Sequence, residues 1–215
     1  MSDLYTRAAA VTQDQTAKQW AIRCLWRLVD GTVTPLQPNL YCVIDAAKDP
    51  RIYPELAAFA ADYDIASLYE QPAASEFATV APYLICLGTD LRLFDWLWQH
   101  GWGNGWGIFA WTVTSFDNVR RHFRHLAVVH TEHEAKLLFR FYDPKVVAAF
   151  LRTCDEAQLR SMFGPLSTIS VETNRGCSIT IFNALPTRAE NIATSLALNI
   201  QTRALVVCDP ERVSQ

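Results

Sequence analysis

Two aspartates close apolar runs in this chain. Asp45 ends Leu40-Tyr41-Cys42-Val43-Ile44, and Asp143 follows Leu138-Phe139-Arg140-Phe141-Tyr142. Carboxylates at strand ends are where a general acid/base pair would stand. His122 and His125, spaced i, i+3 on a helical pattern, have the geometry to ligate a divalent metal, and His130 and His133 follow closely. A small metal-dependent hydrolase using Asp45, Asp143, His122 and His125 is one reading. The same residues admit simpler roles. Asp143 precedes Pro144 in the order of an N-cap and a first helical position. Each aspartate can cap the backbone after it, or pair with Arg51 or Arg140. The two histidines sit among Arg120, Arg121 and Arg124, with no carboxylate or cysteine at a fixed ligand spacing, as on a solvated basic face. Capping, pairing and solvation account for all four without catalysis. The sequence therefore assigns no catalytic residue, no metal and no cofactor.

The stretch Gly101-Trp102-Gly103-Asn104-Gly105-Trp106-Gly107 holds four of the chain's eight glycines. Such density marks unusual dihedrals or close backbone approach. It is not a dinucleotide cradle. Trp106 breaks G-x-G-x-x-G, and the order here is helix, loop, strand rather than the reverse. Five of the seven tryptophans lie between Trp96 and Trp111. Tryptophan fills cores and also anchors binding surfaces. Trp98, Trp102 and Trp106 are the candidates for partner contact.

The elements that must position these groups follow from periodicity. Trp20, Ala21, Cys24, Leu25 and Leu28 share a face, predicting a helix over 15–29 after a loose terminus at 1–12. Pro35 and Pro38 mark a linker. Leu40–Asp45 reads as a central strand covered on both faces. A helix opens at Pro50 with Asp49 as its cap, and strands follow at 65–69 and 82–87. A helix at 90–100 ends at Gly101, and a strand at 108–111 leaves the glycine run. Ser115 caps a helix over 116–126. Two strands, 127–130 and 136–142, form a hairpin. The second carries Arg140 within an apolar run, where an unpaired guanidinium would be very costly, so Arg140 is expected to pair with Asp45 or Asp143. Helices follow at 144–152 and after Asp155. A hairpin spans 166–173 and 178–183, and a last helix covers 188–200. Strands alternating with helices, then hairpins, predict the α/β or mixed α+β class: a mixed sheet of parallel and hairpin-connected strands with helices packed on it. The divisions are an N-terminal helix and linker (1–36), a core domain (37–165), and a C-terminal hairpin and helix (166–215) forming a reduced second lobe.

Half of the 215 residues are hydrophobic and 19% are charged, the balance of a folded globular chain. The net charge of −3 argues against a nucleic-acid partner. No run approaches the ~20 apolar residues of a membrane helix. The start, Met1-Ser2-Asp3-Leu4, lacks the basic-then-apolar order of a signal peptide. These features give a cytoplasmic expectation with no membrane partner. The six cysteines are scattered without C-x-x-C spacing and read as buried, reduced thiols.

Several segments form an ordered set. They are Tyr41-Cys42-Val43-Ile44-Asp45-Ala46-Ala47 with Pro50-Arg51-Ile52-Tyr53; Leu68-Tyr69-Glu70 with Pro72; and Val80-Ala81-Pro82-Tyr83-Leu84. Gly105-Trp106-Gly107-Ile108-Phe109, Leu138 to Pro144, and Phe163-Gly164-Pro165 complete it. This set resembles the domain-of-unknown-function family 4123, the adaptor chaperones of bacterial type VI secretion, over roughly residues 40–165. The resemblance implies a non-enzymatic cytoplasmic protein. Such an adaptor binds one cognate toxic effector and assists its loading onto the spike, the valine-glycine repeat protein or its PAAR tip. The recurrent residues of the family map onto Asp45, Arg51, Tyr69, Pro82, Trp106, Arg140, Asp143 and Pro144, read here as fold-determining. An immunity protein that neutralises a toxin is the other binding-protein reading.

Overall fold

The computed structural model describes residues 2–25, 39–70, 72–88, 90–130, 136–187 and 195–204. Helix α1 (Ser2–Leu25) comes first, followed by strand β1 (Asn39–Asp45), helix α2 (Ile52–Phe59) and strand β2 (Ile65–Ser67). The short helix α3 (Ala73–Glu76) leads to β3 (Pro82–Cys86), α4 (Arg92–His100) and β4 (Gly107–Thr112). Next are α5 (Phe116–Ala127), β5 (Val128–His130), β6 (Lys136–Leu138), α6 (Pro144–Thr153) and α7 (Glu156–Phe163). Strands β7 (Thr168–Thr173), β8 (Ser178–Thr187) and β9 (Ser195–Ala204) complete the described chain.

Seven strands form one sheet in the order β2-β3-β1-β4-β7-β8-β9, and every neighbouring pair is antiparallel. This corrects the expectation of a mixed sheet with parallel strands: among the described residues there are none. Alternating strands and helices suggested crossover connections. Antiparallel neighbours tolerate a helix in the connection equally well, as α2 and α3 show between β1 and β3. The apolar run of β1 has the same resolution. Leu40, Cys42 and Ile44 enter the cluster on one face, with Leu56, Phe94 and Trp98. Tyr41 and Val43 enter the cluster on the other, with Phe123, Phe141, Val147 and Phe163. Helices cover both faces of an antiparallel sheet, so a central strand is apolar throughout whatever the direction of its neighbours.

Three further expectations are corrected. The anticipated helix at 188–200 is a strand from Ser195 onward, paired along its length with β8; residues 188–194 lie outside the described residues. Leu196, Leu198 and Ile200 alternate, a period of two that suits pairing with a ten-residue neighbour. The strand anticipated over 136–142 stops at Leu138. Phe141 N–H then donates to Phe139 C=O (2.9 Å), and Asp143 N–H to Arg140 C=O (3.0 Å). These tight turns put Phe141 and Tyr142 into the same core cluster, whereas successive strand residues would point to opposite faces. Among the thiols, Cys24, Cys42, Cys86 and Cys154 are free, whereas Cys177 is disulfide-bonded. Cys208 lies outside the described residues, as does the proline linker.

Several local readings hold. Strands β5 and β6 pair as a separate two-stranded sheet. The β7–β8 hairpin is present, and Asp155 closes a capping box on α7. Helix α1 begins at Ser2, where a loose terminus was anticipated, and its expected end at 26–29 lies outside the described residues. Asp49 lies two residues before the N-cap position of α2, which Arg51 occupies. Its carboxylate nonetheless accepts from Arg51 N–H (2.9 Å).

Candidate functional site

Asp45 and Asp143 are each engaged by a different cation. Asp45, 1% exposed at the end of β1, accepts from Ala47 N–H (3.1 Å) and so starts a 3₁₀ turn. Its other oxygen takes a hydrogen bond from Arg140, the pairing anticipated from sequence. That bond holds the Arg140 guanidinium above its ordinary pKa. Asp143 caps α6 through Lys145 N–H (2.9 Å) and pairs with Lys48 (2.8 Å). Partial burial works to raise the Asp143 pKa, but Lys48 and the helix amides outweigh it and hold it below the usual range. Pro144 is the first residue of the helix, as expected. Arg51 pairs with neither; it closes on Asp49 (2.7 Å). Pro82 opens β3 opposite Asp45. Capping and charge pairing thus account for both aspartates.

The two histidines stand in different surroundings on α5. His122 is tied by Nε2 to Met162 C=O (3.0 Å), and burial lowers its pKa. His125 is exposed, and no cluster of three metal-ligating groups occurs among the described residues. The His130 side chain and His133 lie outside what is described.

Trp98, Trp102 and Trp106 are 8%, 8% and 5% exposed. Trp98 and Trp102 lie 4.7 Å apart between ring centroids, and Trp106 lies 5.4 Å from the half-buried Trp96. Trp98 donates to Asp14 (3.0 Å) and Trp102 to Gly176 C=O (2.9 Å). The three rings are committed to the core and offer little surface to a partner.

The glycine run encloses a residue that sequence reasoning passed over. Glu172 on β7 receives Gly103 N–H (2.6 Å) and Gly105 N–H. Both glycines have positive φ, +88° and +64°, a backbone that turns the amides on either side of Asn104 toward one carboxylate. The cradle is therefore real, but its anion is internal. Burial raises the Glu172 pKa, and the two amides only partly offset this. A raised carboxyl pKa contributes stability that is present below the ordinary glutamate range and lost as pH rises through the folded-state value. Wild type should therefore gain stability relative to Glu172→Gln on moving from about pH 7.5 to about pH 4. Urea unfolding at both values checks this; a difference that is constant or of opposite sign would show that the cradle fully offsets burial.

A larger concavity than the space beside Glu172 lies elsewhere. A groove of about 1140 Å³ runs between α5 and the segment 68–76 that includes α3. Helix α5 packs Val119, Phe123 and Ala127 inward, which leaves Arg120, Arg121, Arg124 and His125 along the groove. Arg120 donates to Ser67 C=O (3.2 Å from Nη2), and Arg124 to Tyr69 C=O (3.0 Å). The arginines therefore fasten the opposite wall by its backbone while keeping their charge. Glu70 lies 3.6 Å from Arg124. Arg124 Nε is buried with no hydrogen-bond partner. Tyr69 is held from beneath by a side-chain hydrogen bond with Tyr142, whose pKa burial raises. Tyr142 in turn lies under Arg140, 5.9 Å from ring centroid to guanidinium. The Asp45–Arg140 pair is thus connected to the groove wall through two tyrosines. Sequence reading classed the basic side of α5 as solvated. The signal available was the concentration of arginine on one short helix; the carbonyls they meet are more than fifty residues away.

A family model described as "Domain of unknown function (DUF4123)" matches residues 40–161, more than half of the chain. The match contains both walls of the groove and the Asp45–Arg140 pair. No curated protein and no solved structure matches the chain.

Proposed function

The chain belongs to the domain-of-unknown-function family 4123, and from that premise we propose that it is a non-catalytic adaptor chaperone of type VI secretion. In this reading it binds a cognate toxic effector in the cytoplasm and assists its loading onto the spike, the valine-glycine repeat protein or its PAAR tip. The observation that carries the reading is the groove. It is open and lined by both charged and apolar side chains, which suits a protein segment better than an enclosed small substrate. Asp45, Asp143 and His122 are occupied by structural bonds, which supports the same view. No helix among the described residues is long and apolar enough to cross a membrane.

Co-expression with candidate toxins drawn from the gene neighbourhood tests the proposal. A stable complex is expected, and deletion should abolish delivery without killing the producing cell. Loss of self-protection on deletion would instead identify an immunity protein. Absence of any complex with the toxin or a spike component would overturn the adaptor reading. The compartment can be tested separately, because disulfides are rare in reducing cytoplasm. Thiol counting on protein alkylated at lysis should find Cys177 reactive if the cytoplasm is its working compartment; a protected Cys177 would count against that part.

A further inference from the structure

The groove has a charge pattern that specifies its occupant more closely. Arg120 and Arg124 are half-buried, and their hydrogen bonds to Ser67 and Tyr69 go to neutral carbonyls. Burial and the neighbouring Arg124 charge both lower the Arg120 pKa, so the two guanidiniums repel each other along the groove wall. Arg121 is exposed and bonded to the neutral side chain of Asn118 (3.0 Å). The groove also has three carboxylates. Glu70 is 79% exposed and approaches Arg124 no closer than 3.6 Å; Glu76 and Asp117 lie among the lining residues, and Glu76 is exposed. Solvated carboxylates of this kind hold a cation weakly. Anionic demand is therefore concentrated on the arginine wall. Leu138, 50% exposed, adds an apolar contact at the same groove.

We propose that this groove is the docking site for an acidic peptide segment of the partner, its carboxylates on Arg120, Arg121 and Arg124 and an aliphatic side chain against Leu138. The proposal rests on the adaptor reading for the identity of the partner, but not for the binding itself. The incoming carboxylates displace Glu70 and neutralise the crowded arginines. The exposed Leu138 beside the arginines favours a peptide, whose carboxylates can alternate with aliphatic side chains, over a nucleic-acid strand, whose charge repeats at every residue.

The test is fluorescence anisotropy on the full chain with three labelled probes: a short peptide alternating Glu and Leu, its counterpart with Gln for Glu, and a single-stranded oligothymidine. The Glu peptide should bind, weaken with salt, and lose about tenfold in affinity in Arg121→Glu, equivalent to about 1.4 kcal/mol. Glu70→Gln should bind it more tightly, because a competing carboxylate is removed. Arg121 is exposed, so its variant should melt with wild type. Equal binding of the Gln peptide, equal binding of the oligothymidine, or no effect of Arg121→Glu would each overturn the proposal. The adaptor reading fails separately: a chain that binds the Glu peptide but captures neither toxin nor spike component keeps the groove and loses the adaptor.

Discussion

Arg140→Ala is expected to destabilise the fold by about 3 kcal/mol, the lower end of what removing one partner of a buried ion pair costs. Asp45 is almost wholly buried, and Arg140 is the cation that meets it. Without the guanidinium, a buried carboxylate would keep only the Ala47 amide. Arg140 is itself 48% exposed, so water can reach part of the space it leaves, which holds the effect at the low end. For a chain of this size, the melting temperature should fall by roughly 6–12 °C. The double variant Asp45→Asn/Arg140→Ala should be more stable than Arg140→Ala alone. It leaves no uncompensated charge, and the oxygen of the substituted side-chain amide can still accept from Ala47 N–H. The two single variants and the double form a cycle that isolates the pair. An Arg140→Ala protein with unchanged melting would mean that Arg140 is solvated and that Asp45 needs no cation. Because Tyr142 and Tyr69 link this pair to the groove, Arg140→Ala should also weaken binding of the Glu peptide, though less than Arg121→Glu does.

Where the determinants are close in sequence, the residues alone revealed them. Asp143 and Pro144 start α6, Asp155 starts α7, and β7 turns into β8 through local chemistry that any reader of the chain can recover. The Arg140 pairing was legible for another reason: a guanidinium in an apolar run must have a partner, and few carboxylates were placed to be one. What stayed hidden depends on distant neighbours. A strand buried on both faces looks the same whether its partners run parallel or antiparallel, so the apolar pattern of β1 could not reveal the sheet's direction. Leu196, Leu198 and Ile200 did alternate, but they fell inside the helix expected over 188–200, and pairing with β8 is what decides for a strand. Glu172 resembles an ordinary strand glutamate until the glycine loop, nearly seventy residues earlier, closes over it. The groove shares this property. Its arginines were visible, but the carbonyls that fix them and the wall they face belong to β2 and the loop after it.

Gly107→Ala should have the largest effect on folding of any glycine-to-alanine change in the loop. A Cβ at Gly107 would stand 2.0 Å from the carbonyl oxygen of Val43. That oxygen belongs to β1, an interior strand that neighbours the central β4, and Gly107 lies opposite Ile44 in the β1–β4 ladder. No side-chain rotation relieves a clash between a Cβ and a neighbouring backbone. The two strands must separate, which disrupts their hydrogen bonds and the packing of Ile44 and Ile108 on opposite faces of the sheet. Overpacking a core with flexible side chains costs about 1–3 kcal/mol; a backbone clash at the sheet centre should exceed that and leave little soluble folded protein. Gly105→Ala is the control. Its Cβ would meet nothing within 4 Å, and its penalty is confined to a positive φ of +64°, about 1 kcal/mol. The comparison separates two meanings of the glycine run. If the loop needs its glycines only for left-handed dihedrals, Gly105→Ala is the more damaging, because the Gly107 φ lies outside the positive range. If close approach of β4 to β1 is the stronger requirement, Gly107→Ala loses the fold and Gly105→Ala keeps it. Soluble yield, circular dichroism and melting of the two variants decide between them, and the 2.0 Å approach favours the second outcome.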